Sequence, residues 1–466
     1  MIAQRDLMFS GVSVVDTVGR VFEYQGNIYR LIYKKSEKEC LELLNCGLID
    51  KLVDLNYFPK TNIDSQLEIE GHPLVLKHER CSIINHYEWS FEMFKDAAIH
   101  ILKVNEICNK YGYELKDGHP LNITFQNSKP VFLDFGSFIK KNGNEWSALD
   151  EYLQKCYLPL LLWKEGEYSI LRNILESPDL FSENRLLPQQ DFVESTHLQH
   201  FLIKCDGYKI RIAGMTFFSK NINFPLLIKI VNKASIIIRG KKIIHIEQYR
   251  EKINPTIFDV SQIHQAVNST EWCEYQDHKQ STQKYPRFSR ITELIGKYCS
   301  DAKTAVDLAG NGGILSIILN ETQQFNHIFT VDYDGNAIDK AYSYFKEQSD
   351  PIDPVYANVV FPFDANSFRK RIQSDLAIAC AITHHLILRQ NIPLYAIFEK
   401  FASYCKKYLI IEFMPLGLWN GHDAPPIPDW YTREWFRNTF CQYFELLHEE
   451  QLETNRIVFI GRKRIS

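Results

Sequence analysis

The sequence predicts an α/β protein whose C-terminal part is a mostly parallel, seven-stranded sheet, preceded by a smaller α+β region. Three observations predict it. From about residue 285, short β-branched runs alternate with segments of helical length, the pattern of a parallel sheet covered on both faces. The last two apolar runs are separated only by Glu453, Thr454 and Asn455, which adds an antiparallel hairpin at one edge. Before residue 135 the pattern is different, an antiparallel sheet with a helix followed by a helical lobe.

The elements follow in order. Residues 10–35 hold two or three strand-like pieces (GVSVVD, RVFEYQ, NIYRLIYKK) with a Gln25-Gly26 turn, and 36–55 reads as an amphipathic helix. HPLVLKHE at 72–79 is another strand, followed by a long helix pattern at about 89–113 and by the pair NITF and PVFLDFG around a turn. Residues 181–265 are read as a helical extension and linker. The C-terminal strands are TAVDLA (304–309), HIFTVDY (327–333), PVYANVV (354–360), DLAIACA (375–381), YLIIEFM (408–414), FELLHEEQL (444–452) and RIVFIGRKR (456–464).

Composition narrows the function classes. With 466 residues, 45% apolar and 24% charged, the chain has material for large cores and lies far from the disordered range. Its 53 Lys+Arg against 57 Asp+Glu leave a formal charge of −4, which does not suit a nucleic-acid partner. The longest apolar runs, such as 157–163, fall short of the ~20 residues that span a bilayer. The first residues lack the basic-then-apolar pattern of a secretory signal, so a cytoplasmic protein without a membrane span is expected. Eleven cysteines without a CxxC pair read as reduced core thiols.

The most informative stretch is 304–313. Asp307 closes a buried strand, and Ala309, Gly310, Asn311, Gly312 and Gly313 form a small-residue turn into a helix, where backbone amides can approach a ligand. About twenty-five residues on, a second strand ends in Asp332, where a carboxylate can accept ribose hydroxyls. An acid just before the turn suits a ligand with a cationic amino-acid end better than a dinucleotide pyrophosphate. The fourth strand runs into His384 and His385, and the fifth carries Glu412 on the same rim. A histidine of near-neutral pKa there could take a proton from an acceptor hydroxyl, or cap and pack under the next helix. Glu412 could bond the acceptor or hold a histidine. Trp272 and Tyr275 precede the first helix of this part, where Tyr275 could reach a ligand, and Trp419, Trp430 and Trp435 fall in a proline-containing insertion that reads as a substrate-facing cover or a packed loop.

Over roughly 285–466 these residues resemble the class I S-adenosylmethionine-dependent methyltransferases, which have a Rossmann-like sheet. The resemblance implies that Asp307, Ala309, Gly310, Asn311, Gly313, Asp332 and Tyr275 bind S-adenosylmethionine, with His384, His385 and Glu412 at the acceptor. Ala309 stands where the family's first glycine is expected and Asn311 at its second.

A second constellation lies upstream. Asp117 is followed by Asn122 five residues later and by Asp134 in an Asp-Phe-Gly turn. A carboxylate, an amide and a second carboxylate in this order suit phosphoryl transfer, which must orient a hydroxyl and hold a divalent cation on phosphates. Over roughly 10–180 the chain resembles the protein-kinase-like and aminoglycoside-phosphotransferase-like superfamily, a two-lobed α+β fold. The resemblance implies Asp117 as base, Asn122 and Asp134 as Mg2+ ligands, and Arg30 as stand-in for the ATP-binding lysine, though no glycine-rich loop is present.

The expected division is therefore a kinase-like domain at 1–180, a connector at 181–265 and a methyltransferase domain at 266–466. As a whole the chain is similar to bacterial nodulation-type methyltransferases. That likeness implies methyl transfer to a small polar or glycan-type acceptor. Three readings of the N-terminal part stay open: a degenerate kinase lobe, an active kinase needing Mg2+ and ATP, or one half of a non-catalytic scaffold whose nucleotide pockets are both vestigial.

Overall fold

Gln25 (φ 48°) and Gly26 (φ 75°) turn the chain between β1 (Gly19–Tyr24) and β2 (Asn27–Ile32), and the left-handed conformation of both matches the twist of a tight hairpin. In the computed structural model the described residues are 2, 6–10, 16–166, 168, 171, 175, 207–212, 215–219, 244–249, 254–266, 286–419 and 421–464. Gly11–Val15 of the first expected strand lie outside them. The chain divides into two units: the first holds residues 1–80, 94–123 and 132–267, and the second holds 81–93, 124–131 and 268–466.

In the first unit, β1, β2, β3 (Thr61–Ile63) and β4 (Val75–His78) form an antiparallel sheet in the order β1-β2-β4-β3. Phe22, Tyr29, Leu31, Ile69 and Val75 pack on one face of it. The single helix expected at 36–55 is two, α1 (Glu37–Asn45) and α2 (Leu48–Asp54), because Gly47 at φ 83° breaks the repeat. Helix α3 (Phe91–Lys110) is followed by β5 (Tyr113–Leu115), the hairpin β6 (Ile123–Gln126) and β7 (Lys129–Phe132), and β8 (Phe138–Lys140), which pairs with β5. Part of the expected helical connector is a sheet. Strands β9 (Gly207–Ile212), β10 (Met215–Ser219) and β11 (Ile244–Tyr249) form an antiparallel sheet in the order β10-β9-β11. The cause is visible in β9, where Tyr208, Ile210 and Ile212 alternate with Lys209 and Arg211, a period of two and not of 3.6.

The second unit is built on β12 (Thr304–Leu308), β13 (His327–Asp332), β14 (Ile352–Tyr356), β15 (Ser374–Ala379), β16 (Cys405–Phe413), β17 (Phe444–Glu453) and β18 (Arg456–Lys463). Their order is β14-β13-β12-β15-β16-β18-β17, parallel except for β18, which runs antiparallel to β16 and β17. Helices at Pro286–Tyr298, Ile314–Glu321, Gly335–Gln348, Ala365–Ile372, Leu394–Ala402 and Arg433–Tyr443 accompany it. Ile291, Leu294, Ile318, Phe345, Ile378 and Ile410 are among the buried residues of its core. Strand β14 begins and ends earlier than 354–360, since the Asn358 side chain accepts from the amides of Val360 and Phe361 and turns the chain out of the sheet. Pro354 is tolerated because β14 is an edge strand.

Two short stretches from early in the chain belong to this second unit. Glu88, buried, pairs with Arg371 through both guanidinium nitrogens, one of them at 2.9 Å. Ser128 donates its amide to the buried carboxylate of Asp353 at 2.7 Å, and the same carboxylate meets His327 at 2.8 Å. Phe125 packs edge-on against Tyr342 with ring centroids 5.6 Å apart. Among the described residues no helix is long and apolar enough to cross a membrane.

Candidate functional site

Strand β12 is buried along most of its length, so its end carries Asp307 into the interior with 2% exposure. The chain then turns through Ala309 (φ 59°), Gly310, Asn311 (φ 50°), Gly312 and Gly313 (φ 81°) into the helix at Ile314. The turn is tied down by Gly310 N to Val331 O at 3.1 Å, Gly313 N to Gly310 O at 2.9 Å, and Asn311 N to Asp332 Oδ2 at 2.8 Å. Gly310 has no room for a side chain: a Cβ there would lie 2.7 Å from Asp307 Oδ2 and 2.9 Å from Thr330 Cγ2. Gly313 is closed likewise, its Cβ falling 2.4 Å from Phe345 Cζ.

Burial pushes the Asp307 carboxyl up to about 7, against a hydrogen bond from Ser316 that lowers it, and the nearby Asp332 raises it further. Ser316 Oγ is 3.3 Å from Asp307 Oδ2 and in turn accepts from Thr330 Oγ1 at 2.7 Å. Among the described residues no cation is one of the groups that shift this carboxyl. Asp332 is also raised by burial, while the amides of Asp334 and Asn311 pull it back. Beside it Tyr333 is 63% exposed and stacked on Tyr356, ring centroids 5.3 Å apart. The sequence reading missed this aromatic shelf, although Tyr333 follows Asp332 directly.

Beyond β15 and β16 lies a second group. Thr383 Oγ1 donates to Glu412 O at 2.8 Å and joins the two strand ends. His384 is 6% exposed, and its Nδ1 is buried without a hydrogen-bond partner. Burial, then His385, Arg456 and Arg389, push its pKa down to about 3. Of the two readings left open for this histidine, a near-neutral base or a packed residue, the burial of His384 fits the second: desolvation and neighbouring positive charge keep it neutral and weakly basic at pH 7. His385 lies with its ring 4.0 Å from that of His384. Glu412 is fully buried and holds Arg456, at 2.8 Å from Oε2, where a histidine was considered above. Its Oε1 lies 3.8 Å from Arg287 Nε and has no hydrogen-bond partner. The half-buried Cys380 thiol is raised well above its usual range by burial first, with Glu412, Asp307, Arg287 and Arg456 all acting on it, so the two groups share this strand end. Arg287 and Arg456 carried no motif in the sequence.

The insertion after β16 exposes Trp430, which meets Trp435 edge-on with centroids 4.9 Å apart. Trp272 and Tyr275 lie outside the described residues.

In the first unit, Arg30 is buried and its guanidinium bonds Asp16 and, at 3.1 Å, Asp134 Oδ1. The same Asp134 oxygen accepts from Gly136 N at 2.9 Å. Asn122 comes close to this turn through its carbonyl, which accepts from Leu133 N at 2.8 Å, while its Nδ2 is buried without a partner. Asp117 is raised, chiefly by burial. Its oxygens group instead with His119 and Glu151, with ligating atoms within 4.8 Å of one another.

No protein-family model matches the chain. The nodulation protein NoeA of Rhizobium meliloti (strain 1021) is 24% identical over 429 residues, spanning 86% of this chain and 83% of that protein. Among solved structures, the PH0226 protein of Pyrococcus horikoshii OT3 is 19% identical with a TM-score of 0.33, over 40% of this chain and 94% of that one. The N-methyltransferase NodS of Bradyrhizobium japonicum WM9 is 12% identical with a TM-score of 0.30, over 39% and 96%.

Proposed function

We propose that this chain is an S-adenosylmethionine-dependent methyltransferase acting on a small polar or glycan-type acceptor, with an N-terminal kinase-like region that is degenerate as a phosphotransferase. One observation carries the reading. Asp307 is a buried carboxyl that no cation among the described residues is seen to shift, set beside a glycine that admits no Cβ, where the strand order reverses between β12 and β15. Ligands of open α/β sheets bind in the crevice outside the carboxyl ends of the strands at such a switch point. A cationic ligand group would relieve the burial penalty of Asp307.

When bound, S-adenosylmethionine supplies an electrophilic methyl group. The residues present fit it: Asp307 would hold its cationic amino-acid end, the turn 309–313 would let backbone amides approach, Asp332 would accept its ribose hydroxyls, and Tyr333 offers an exposed ring face. At the acceptor end, neutral His384 and Oε1 of Glu412, which has an ion pair but no hydrogen bond, are buried groups that an acceptor hydroxyl or amine would satisfy. Arg456 and Arg287 hold Glu412 in place. With His384 so weakly basic, these residues orient the acceptor, and positioning supplies most of the rate. The glycan-type acceptor rests on the resemblance to nodulation-type methyltransferases and on the likeness to NoeA.

The degenerate reading of the kinase-like region is supported by Arg30, whose guanidinium lies on the carboxylate that would otherwise bind Mg2+. Titration calorimetry tests both parts. S-adenosylmethionine should bind the wild type, and Asp332→Asn should weaken it at least tenfold; no binding, or unchanged binding in the variant, overturns the methyltransferase reading. Mg2+-dependent ATP binding lost in Asp134→Ala would instead establish a bifunctional kinase-methyltransferase.

A further inference from the structure

In the first unit a glycine lets a turn lie directly on a helix. A Cβ on Gly118 would fall 2.6 Å from Ala148 O and 2.7 Å from Tyr152 N, so a side chain there would push the 117–119 turn off the helix Leu149–Tyr152. Both backbone groups of Gly118 are held: its amide donates to Glu151 Oε2 at 2.8 Å, and its carbonyl accepts from Cys156 Sγ at 3.3 Å. The close approach brings Asp117 and His119, the residues flanking the glycine, to Glu151, with one ligating atom of each within 4.8 Å of the others. After Tyr152 the chain continues as a π-helical turn, Leu153–Tyr157, a rare form that frequently sits at functional sites.

Hydrogen bonding within the protein leaves this group incomplete. His119 Nδ1 is buried and has no hydrogen-bond partner. Ser137 is fully buried and acts on the Asp117 carboxyl, yet its Oγ completes no hydrogen bond of ordinary geometry. Buried polar groups normally find a partner, so an imidazole nitrogen and a hydroxyl left over around one carboxylate point to a bound species that the chain does not supply. Two carboxylates exclude an anion and favour a cation. Lys116 acts on Asp117, and Lys155, 25% exposed, lies 3.2 Å from Glu151 Oε1, but neither satisfies His119 Nδ1. One imidazole with two carboxylates is a donor set for a transition metal: zinc takes histidine nitrogen and carboxylate oxygen together, whereas Mg2+ and Ca2+ favour oxygen alone.

We propose that Asp117, His119 and Glu151 bind a divalent first-row transition metal of the zinc type, at a site separate from the Asn122 and Asp134 pair expected to hold Mg2+. Ser137 then serves as the outer partner that orients the Asp117 carboxylate. The proposal does not depend on the methyltransferase reading. It bears on the N-terminal region, because a carboxylate engaged as a metal ligand is not free to take a proton from a hydroxyl, and an occupied site removes Asp117 as a base for phosphoryl transfer.

The experiment uses the full-length protein, stripped with a chelator, dialysed, and titrated with Zn2+ against a chromophoric zinc chelator. Co2+ supplies a second readout through its visible ligand-field absorption. The wild type should bind Zn2+, and His119→Gln and Glu151→Gln should each weaken binding at least tenfold, since losing even an outer partner of a metal ligand costs about 10–100-fold. The Co2+ spectrum should change in His119→Gln. Lys155→Met should act in the opposite direction and tighten Zn2+ binding, because it removes a cation that competes for Glu151. Thermal unfolding of each stripped variant separates loss of the site from loss of the fold, and the Lys155→Met gain holds the proposal to account even where a ligand variant does not fold. No Zn2+ binding by the wild type, affinity unchanged in both ligand variants, or ready displacement of Zn2+ by excess Mg2+ overturns the proposal.

Discussion

Replacing Ala309 with glycine is expected to stabilise the second unit, although the substitution removes a methyl group. Ala309 sits at φ 59°, in the left-handed region. An L-residue there costs roughly 1–2 kcal/mol relative to glycine. Glycine gives back about 0.4–1 kcal/mol through the greater freedom of the unfolded chain, which leaves a net gain of about 0.5–1 kcal/mol. Gly313, at φ 81° in the same turn, should respond with the opposite sign. Gly313→Ala adds the left-handed penalty to an overlap at 2.4 Å with the Phe345 ring, for a loss of about 2–4 kcal/mol. Because the chain has two units, one global unfolding free energy is not well defined. Native-state hydrogen exchange of the buried amides of β12 and β13 reads this unit directly. Slower exchange in Ala309→Gly and faster exchange in Gly313→Ala are expected, and S-adenosylmethionine affinity should not fall in Ala309→Gly. Destabilisation by Ala309→Gly, or a neutral Gly313→Ala, would refute the claim that backbone conformation governs this turn.

The remaining predictions concern charge. Asp307 titrates near 7 in the folded protein against ~3.9 in an unfolded chain, so its contribution to stability is present at low pH and lost as pH rises through 7. Asp307→Asn should flatten that slope in urea titrations run from pH 5 to 8. A cationic ligand favours the ionised form, so S-adenosylmethionine affinity should weaken up to tenfold per unit below pH 7 in the wild type and lose that dependence in Asp307→Asn, as read by calorimetry. Arg371→Met leaves Glu88 buried and unpaired and should destabilise the second unit by about 3–5 kcal/mol, with partial recovery in the double variant Glu88→Gln/Arg371→Met; a loss below about 1 kcal/mol by hydrogen exchange would contradict the pairing. Arg456→Met should act similarly through Glu412, and should weaken acceptor binding more than S-adenosylmethionine binding.

The α/β class is legible in the sequence because strand and helix periods are written in neighbouring residues, as in the TAVDLA and HIFTVDY runs that become β12 and β13. Asp307 and Asp332 could be singled out for the same reason: each lies at the end of such a run. The reading failed where two periods compete or a turn intervenes. It took β9–β11 for a helical connector, carried one helix through Gly47, and extended β14 into the Asn358 turn. It could not choose between a proton-accepting and a packed His384, because nothing in Ala-Ile-Thr-His-His-Leu says how deeply the ring is buried or that Arg456 and Arg389 act on it.

Residue spacing was enough to bring Asp307, the 309–313 turn and Asp332 together, since a strand, a tight turn and a helix are short-range structures whose geometry depends on adjacent side chains. Folding in three dimensions decided the rest. It set Arg456 on Glu412, and joined Glu88 to Arg371 and Ser128 to Asp353. These partners are separated by tens to hundreds of residues, and their pairing leaves no local periodic trace. Burial and charge then determined their chemistry: Asp307 is raised and His384 depressed by solvent that the packed sheet excludes.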